Sequence, residues 1–80
     1  MVDRLERGNK VERRNVESTL IKSVGYDPHT LTLEIEFHNG KVFQYAEVPS
    51  YVATAFEMAP SVGKAFHTNI KGRYEHKEVT

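Results

Sequence analysis

Residues 30–45 read TLTLEIEFHNGKVFQY, and this stretch contains two apolar–polar alternations on either side of an Asn-Gly pair. A period of two places alternate side chains on opposite faces of a strand. The apolar side chains of the first alternation are Leu31, Leu33, Ile35 and Phe37, and the polar ones are Thr32, Glu34 and Glu36. The stretch therefore predicts a β-hairpin with one buried face and one acidic face in water.

The length of the turn decides which side chains of the hairpin are buried. A two-residue Asn39-Gly40 turn would place Phe43 and Tyr45 on the acidic face. A three-residue turn with Gly40 in the left-handed conformation closes a bulge and shifts the register by one residue. Because burial of the aromatic pair is favourable, we predict the bulged turn. The predicted neighbours are Ile35 with Phe43, Leu33 with Tyr45, and Glu34 with Gln44.

A strand is expected before the hairpin, over residues 18–26. It ends at Asp27-Pro28-His29-Thr30, a turn in which proline fixes φ and the aspartate bonds its own backbone. After the hairpin, Val48-Pro49-Ser50 ends the third strand and begins a helix, because proline is well tolerated in a first helical turn. The apolar residues at helical spacing in this first helix are Val52, Ala55, Phe56 and Ala59.

Pro60 ends the first helix, and Ser61 is a good N-cap for a second one. The apolar stripe of the second helix is Val62, Phe66 and Ile70, and Gly72 is its expected C-terminal cap. We therefore predict an α+β fold: a three-stranded antiparallel β-meander followed by two short helices packed on one face.

Length and composition limit the kind of protein. A chain of 80 residues forms one small domain with a marginal core, and no cysteine is present to reinforce it. Tight packing or self-association must then supply stability. No apolar run approaches a membrane span, and the N-terminus is charged, unlike a signal peptide. We expect a soluble cytoplasmic protein without a membrane partner.

Charge is unevenly distributed along the chain. Its 11 basic and 11 acidic residues cancel, which argues against a polybasic nucleic-acid wrapper and an acidic mimic of DNA. Residues 1–17 carry five basic and four acidic residues, residues 18–59 two basic and five acidic, and residues 60–80 four basic and two acidic. An acidic middle therefore lies between two basic ends.

The second helix carries the most suggestive chemistry. Its start, Ser61-Val62-Gly63-Lys64, combines free backbone N–H groups, a hydroxyl, a small residue and a cation, which suits phosphate. The alternative is an ordinary N-cap with a solvated lysine. One polar face follows at helical spacing, through Lys64, His67, Thr68 and Lys71, with Asn69 and Arg73 at its edge and Tyr74 after it. Cations, amides and a ring suit an anionic aromatic ligand, although a plain solvated helix surface has the same pattern.

Other chemistry lacks a matching pattern. The histidines at positions 29, 38, 67 and 76 have no zinc-motif spacing, so we expect no metal site. No nucleophile–histidine–carboxylate arrangement can be assembled, and the carboxylates of Glu34 and Glu36 lie on the predicted wet face of a sheet. We therefore expect a non-enzymatic protein without a cofactor.

The order and spacing of several short motifs resemble the KTSC domain, the C-terminal domain of some lysyl-tRNA synthetases. The resemblance covers about residues 14–75. The motifs are Ser18-Thr19-Leu20-Ile21, Val24-Gly25-Tyr26-Asp27, Leu33-Glu34-Ile35-Glu36-Phe37, Asn39-Gly40, Phe43-Gln44-Tyr45, Val48-Pro49, Ala59-Pro60-Ser61-Val62-Gly63, Phe66, Ile70-Lys71 and Arg73-Tyr74.

Departures from the family pattern lie mostly on the second helix. The family has tyrosine and asparagine where this chain has Ala65 and His67, and arginine where it has Lys71; its central Tyr-x-Tyr is Phe43-Gln44-Tyr45 here. The resemblance implies a non-catalytic domain, for which RNA binding has been suggested. Stand-alone members resemble small bacterial or phage proteins, and some phage proteins of this size sequester cyclic-nucleotide defence signals as oligomers.

We expect an oligomeric binder of a small nucleotide, because a compact anion needs fewer cations than a nucleic-acid track. The organisation predicted is a charged tail over residues 1–15, a KTSC-like domain over 16–75 and a C-terminal tail over 76–80. Alternatives are an RNA-binding accessory module and a protein–protein adaptor that uses the charged tail. The expected ligand-binding residues are Tyr26, Ser61, Gly63, Lys64, His67, Asn69, Lys71, Arg73 and Tyr74, with phosphates on the cations, bases on the tyrosines, and base edges on His67 and Asn69.

Overall fold

The computed structural model describes residues 11–79 and shows an α+β domain, which confirms the predicted fold class. The strands of its antiparallel sheet, in spatial and chain order, are β1 (Arg14–Asn15), β2 (Ile21–Asp27), β3 (Thr32–Phe37), β4 (Val42–Tyr45) and β5 (His76–Glu78). Between β4 and β5 lie α1 (Ser50–Glu57) and α2 (Val62–Ala65), which continues into a π-helical turn (Phe66–Ile70). The predicted count of three strands is wrong, because two short strands extend the meander at its edges.

The hairpin of β3 and β4 has the predicted bulged turn. Phe37 N donates to Lys41 O at 2.9 Å, so the loop contains three residues, and Gly40 has a φ of 92°. Such a φ is costly for any residue with a side chain, which explains the glycine. The register pairs Ile35 with Phe43, Leu33 with Tyr45, and Glu34 with Gln44, as predicted.

The turn before β3 uses the predicted aspartate bond, in which Asp27 Oδ1 accepts from His29 N at 2.9 Å. Leu31, however, is a turn residue and not part of the apolar strand face. It has a φ of 58°, lies exposed, and accepts a 2.9 Å bond from Val48 N through its carbonyl. The backbone bond to Val48, which follows β4, therefore overrides the alternation at this position.

Both helical segments pack on the face of the sheet that carries Leu33 and Ile35. The fully buried side chains of this core are Ile21, Val24, Leu33, Ile35, Val48, Phe56 and Ile70. Helix α1 buries Ala53 and Phe56, and it leaves Ala55 exposed, although the sequence grouped Ala55 with the apolar stripe.

The second helical segment begins as predicted and then widens. Ser61 Oγ accepts from Lys64 N at 3.3 Å, and the predicted stripe of Val62, Phe66 and Ile70 is buried. Lys71 N then donates to Phe66 O at 2.8 Å, a five-residue span that defines the π turn. Gly72 follows with a φ of 78°, which ends the helix in the left-handed conformation expected of a terminal glycine.

The second face of the sheet, predicted to lie in water, is covered at its centre. A methyl group on Gly25 would lie 2.1 Å from the carbonyl oxygen of Glu12, so residues 11 and 12 cross directly over β2. Val11 is buried there, and Glu34 is only 8% exposed. The chain can pass this closely because Gly25 has no side chain.

The two edge strands come from segments assigned to tails. Residues 14 and 15 pair with β2, while residues 1–10 of the predicted N-terminal tail lie outside the described residues. At the other end, residues 76–78 pair with β4, and residue 80 lies outside the described residues. Short charged segments of this kind carry little strand signal, because the sheet they join supplies most of their stability.

Candidate ligand-binding site

The structure brings Asn69, Arg73 and Tyr74 together at one surface depression. The α1 residues that complete its lining are Tyr51, Val52 and Ala55. We call this feature the α1 depression. Its volume of about 390 Å³ lies within the range of small-molecule sites.

Backbone geometry after the π turn places these residues side by side. Gly72 reverses the chain, and Arg73 N donates to Ile70 O at 3.0 Å. The side chain of Arg73 also bends back, because its Nε donates to Thr68 O at 3.0 Å. This bond holds the guanidinium in place, and its terminal nitrogens form no ion pair with any carboxylate among residues 11–79. A fixed guanidinium of this kind can hold an anion.

The two aromatic rings of the α1 depression differ in support. Tyr74 is half-buried and packs against the core, whereas the side chain of Tyr51 on α1 is 75% exposed. Sequence reasoning missed Tyr51, because a single tyrosine in the first helical turn has no pattern around it. The signal lay in Ala53 and Phe56, since a helix that buries these two positions turns residue 51 outward.

The electrostatics favour the α1 side of Arg73. Arg73 and Tyr74 also line a second depression, together with the acidic residues Glu47 and Glu75. Among residues 11–79, no acidic residue lines the α1 depression, and Arg73 is the one charged residue that does. An anion bound beside α1 would therefore meet the guanidinium without a carboxylate facing it.

At the start of α2, Gly63 packs against the protein. A methyl group on Gly63 would lie 3.4 Å from Ser18 Oγ and 3.8 Å from Leu20 Cβ, which are ordinary contact distances. The hydroxyl of Ser61 already accepts from Lys64 N. Both residues thus have structural partners, and their ligand contacts stay predictions.

The predicted polar face of the second helix is exposed. Its residues are Lys64, His67, Thr68 and Lys71. None of these side chains lines the α1 depression. The larger number of residues per π turn also shifts residues after Ala65 from the positions that a regular α-helix would give them. Phosphate contacts by Lys64 and Lys71, and a base contact by His67, stay predictions.

Tyr26 has a structural role and lies outside the α1 depression. Its hydroxyl donates to Val48 O at 2.5 Å, and its ring packs against the core. Burial, followed by the charge of Asp27, raises the pKa of Tyr26 above its usual value. The predicted stacking of a base on Tyr26 gains no support from this geometry.

Two features are absent from residues 11–79. No group of three or more histidine, aspartate or glutamate side chains is arranged to hold a metal ion in that part of the chain. No helix within it has the length and apolar content for a membrane crossing.

Comparison with known proteins identifies a family. The model of the KTSC domain matches residues 17–74. The crystal structure of a KTSC domain protein from Yersinia pestis superposes with a TM-score of 0.83 at 37% identity, covering 88% of this chain and 99% of that one.

Two curated relatives differ greatly in size. A lysine–tRNA ligase of Nostoc sp. is 38% identical over 64 residues, which are 80% of this chain and only 11% of the ligase. An uncharacterized protein of Stutzerimonas stutzeri is 34% identical over 64 residues, which are 80% of this chain and 90% of that protein. The same module is therefore found both within a long synthetase and as most of a small protein.

Proposed function

Because the chain belongs to the KTSC domain family, we propose that it is a non-catalytic binding module that holds a small nucleotide in the α1 depression. Mononucleotides and cyclic dinucleotides are the ligand class. A module that binds a cyclic dinucleotide without converting it would sequester that signal.

One observation carries this proposal: Arg73, two tyrosines and an amide side chain line the same depression. A guanidinium matches the paired oxygens of a phosphate. The rings of Tyr51 and Tyr74 offer stacking surfaces for a base. The amide of Asn69 supplies both a donor and an acceptor for a base edge.

Charge and size favour a compact ligand. The chain has no net charge, and Glu47 and Glu75 lie on the far side of Arg73. A long polyanion that crosses this region would meet those carboxylates, and it normally requires several cations along its path. A ligand with one or two phosphates needs fewer cations, and the guanidinium of Arg73 supplies one in the α1 depression.

Titration calorimetry against a panel of mononucleotides and cyclic dinucleotides tests the proposal. We expect at least one member to bind, and Arg73→Gln to weaken its affinity by about 10- to 100-fold, the size of a lost charge-assisted contact. Lys77→Gln is the matched control, because it removes the same charge from β5, where Lys77 pairs with Gln44 away from the α1 depression. Absence of heat with every ligand, or equal losses in both variants, would contradict the proposal.

RNA binding is the second candidate, and the match to part of a lysine–tRNA ligase favours it. The exposed cations of Lys64 and Lys71 would then extend the surface beyond the α1 depression. Anisotropy measurements with tRNA at two salt concentrations test this candidate, since contacts to several phosphates give affinity that falls steeply with salt. Binding of tRNA by a chain that ignores the nucleotide panel would replace the first candidate with the second.

The adaptor role stays a prediction without structural support. Most of its expected handle, residues 1–10, lies outside the described residues.

A further inference from the structure

A small residue on the polar face of the sheet lies among larger polar ones. Ala46 directly follows β4, and its N–H donates to Glu75 O at 2.9 Å, which extends the pairing of β4 with β5 by one residue. Continued by one residue, the register of β3 with β4 places Thr32 on the other side of Ala46. Because residues opposite one another in a sheet share a face, these three residues form one row. The next row on the same face is Glu34, Gln44 and Lys77.

These two rows surround a depression, which we call the Ala46 depression. Its volume of about 300 Å³ is at the lower end of the range for small-molecule sites. It forms because the methyl group of Ala46 is much smaller than the side chains on either side of it. The polar-face residues of its lining are Thr32, Gln44, Ala46, Glu75 and Lys77, and the neighbouring Tyr45 and His76 complete it.

Two opposite charges line the Ala46 depression without pairing. Glu75 and Lys77 are both exposed, and neither forms an ion pair with another side chain within residues 11–79. They are two residues apart along one extended segment, so their Cα atoms lie about 7 Å from each other. A ligand that carries both charges on adjacent atoms can reach the two side chains at once.

The remaining polar groups match an ammonium that lies beside a carboxylate. An ammonium group with one substituent has three N–H donors. The Ala46 depression offers three acceptors, which are the carboxylate of Glu75, the hydroxyl oxygen of Thr32 and Oε1 of Gln44. Gln44 presents Oε1 as an acceptor because its Nε2 already donates to Glu34 Oε1 at 2.8 Å. The ammonium of Lys77 is then left for the carboxylate of the ligand.

We propose that the Ala46 depression binds a free α-amino acid through its ammonium and carboxylate groups. The side chain of the amino acid has room in an adjoining depression of about 460 Å³, which shares Thr32, Gln44 and Lys77 with the first. The Ala46 depression and the α1 depression have no lining residue in common among residues 11–79. The amino-acid site is therefore separate from the nucleotide site and does not rest on the proposed function.

Nitrogen–proton NMR spectra of the full chain, titrated with the common α-amino acids, test this site. We expect at least one of them to shift the backbone amide signals of Thr32, Gln44 and Lys77 until they saturate. The amine and the carboxylic acid that lack one of its two charged groups should bind about 3- to 10-fold more weakly, an effect between that of an exposed ion pair and that of a buried charge-assisted hydrogen bond.

Substitutions in the Ala46 depression test the arrangement of the ligand. Lys77→Gln and Glu75→Gln should each weaken amino-acid binding by about 3- to 10-fold, because each removes one of the two matched charges. Ala46→Leu should abolish binding, because the larger side chain fills the depression. Lys41→Gln is the matched control, since it removes the same charge as Lys77→Gln from an exposed position outside the depression.

The outcomes separate this site from the proposed function. Absence of saturable shifts with every α-amino acid at millimolar concentration overturns the inference, and so does equal affinity for the amine or the acid alone. Binding that survives Ala46→Leu in a folded chain places the ligand elsewhere and overturns it too. If Ala46→Leu does not fold, unchanged affinity in both charge variants has the same consequence. A chain that binds an amino acid but no nucleotide keeps this inference and removes the proposed function, and the opposite result does the reverse.

Discussion

The two faces of the sheet are both buried near their centres, but by different means. One face is apolar and lies under α1 and the second helical segment, with Leu33 and Ile35 fully enclosed. The opposite face is polar, and residues 11–13 lie across it. There Glu34 is bonded by Gln44 at 2.8 Å and lies 3.3 Å from Arg13 Nε.

Arg13 and Arg14 show this contrast in adjacent residues. Neighbouring side chains of an extended segment point to opposite faces. Arg13 reaches Glu34 and Glu36 on the polar face, whereas Arg14 reaches Glu57 at the end of α1. The apolar face therefore gains its stability from buried area, and the polar face from a small set of matched charges and hydrogen bonds.

The apolar face should show the largest effect. Phe56→Ala empties the centre of the core, and we expect the free energy of unfolding to fall by about 3–5 kcal/mol. Urea unfolding followed by circular dichroism measures this change. Thr54→Ala, at an exposed position of the same helix, should cost less than about 0.5 kcal/mol. Comparable losses in both variants would show that α1 does not pack through Phe56.

Disruption of the segment that crosses over Gly25 should cause the second-largest loss of stability. Gly25→Ala places a methyl group against the backbone of Glu12, and we expect a cost of about 1–3 kcal/mol, limited by release of residues 11–15. Faster tryptic cleavage after Arg13 would report that release. The matched control is Gly63→Ala, whose methyl group would meet only ordinary contacts. Unchanged cleavage in Gly25→Ala would mean that these residues do not lie on the sheet.

Loss of Arg13 should destabilise the protein more than loss of Arg14. Arg13→Ala leaves the buried Glu34 with Gln44 alone, and we expect a loss of about 1–2 kcal/mol. Arg14→Ala removes an ion pair whose arginine side chain is 78% exposed, and we expect at most about 0.5 kcal/mol. Equal effects in urea unfolding would remove the distinction between the two faces.

The smallest effect concerns Tyr26. Tyr26→Phe should lower the free energy of unfolding by about 1 kcal/mol, because the hydroxyl that bonds Val48 is lost. Burial and the charge of Asp27 raise the pKa of Tyr26 above 10.0, and burial likewise raises the pKa of Tyr45. Since the folded-state pKa values are raised, this stability is complete below the unfolded value and is lost as the pH rises through the folded values.

The pH dependence gives Tyr26→Phe a second measurement. We expect the unmodified chain to lose more stability than Tyr26→Phe between about pH 8 and about pH 11, across the ordinary tyrosine pKa. Identical losses in urea unfolding would contradict a raised pKa for Tyr26 in the folded chain.

Local chemistry explains which features could be predicted from the amino-acid sequence. The register of β3 and β4 followed from two constraints that agree, a glycine able to adopt positive φ and an aromatic pair that must be buried. The bond of Asp27 to His29 and the cap formed by Ser61 depend on residues close in the chain. The KTSC resemblance followed from the order of such local motifs, and the match over residues 17–74 confirms it.

The candidate site was predicted only in part, because it joins segments distant in the chain. Asn69, Arg73 and Tyr74 were identified from residue type, and a glycine reversal and a π turn bring them together. Tyr51, on another helix, lines the same depression. Tyr26 lies outside that depression, and its hydroxyl is bonded to Val48 O.

Strand alternation, turn chemistry and capping therefore specify the central hairpin and the helix starts before any long-range contact forms. The covered polar face and the α1 depression require three-dimensional packing. Arg13 reaches Glu34 only after β2 and β3 pair, and Tyr51 lines the same depression as Arg73 only after α1 packs on the core. The physical reason is that backbone preferences act over a few residues, whereas ion pairs and depressions depend on distances between segments that only the folded chain brings together.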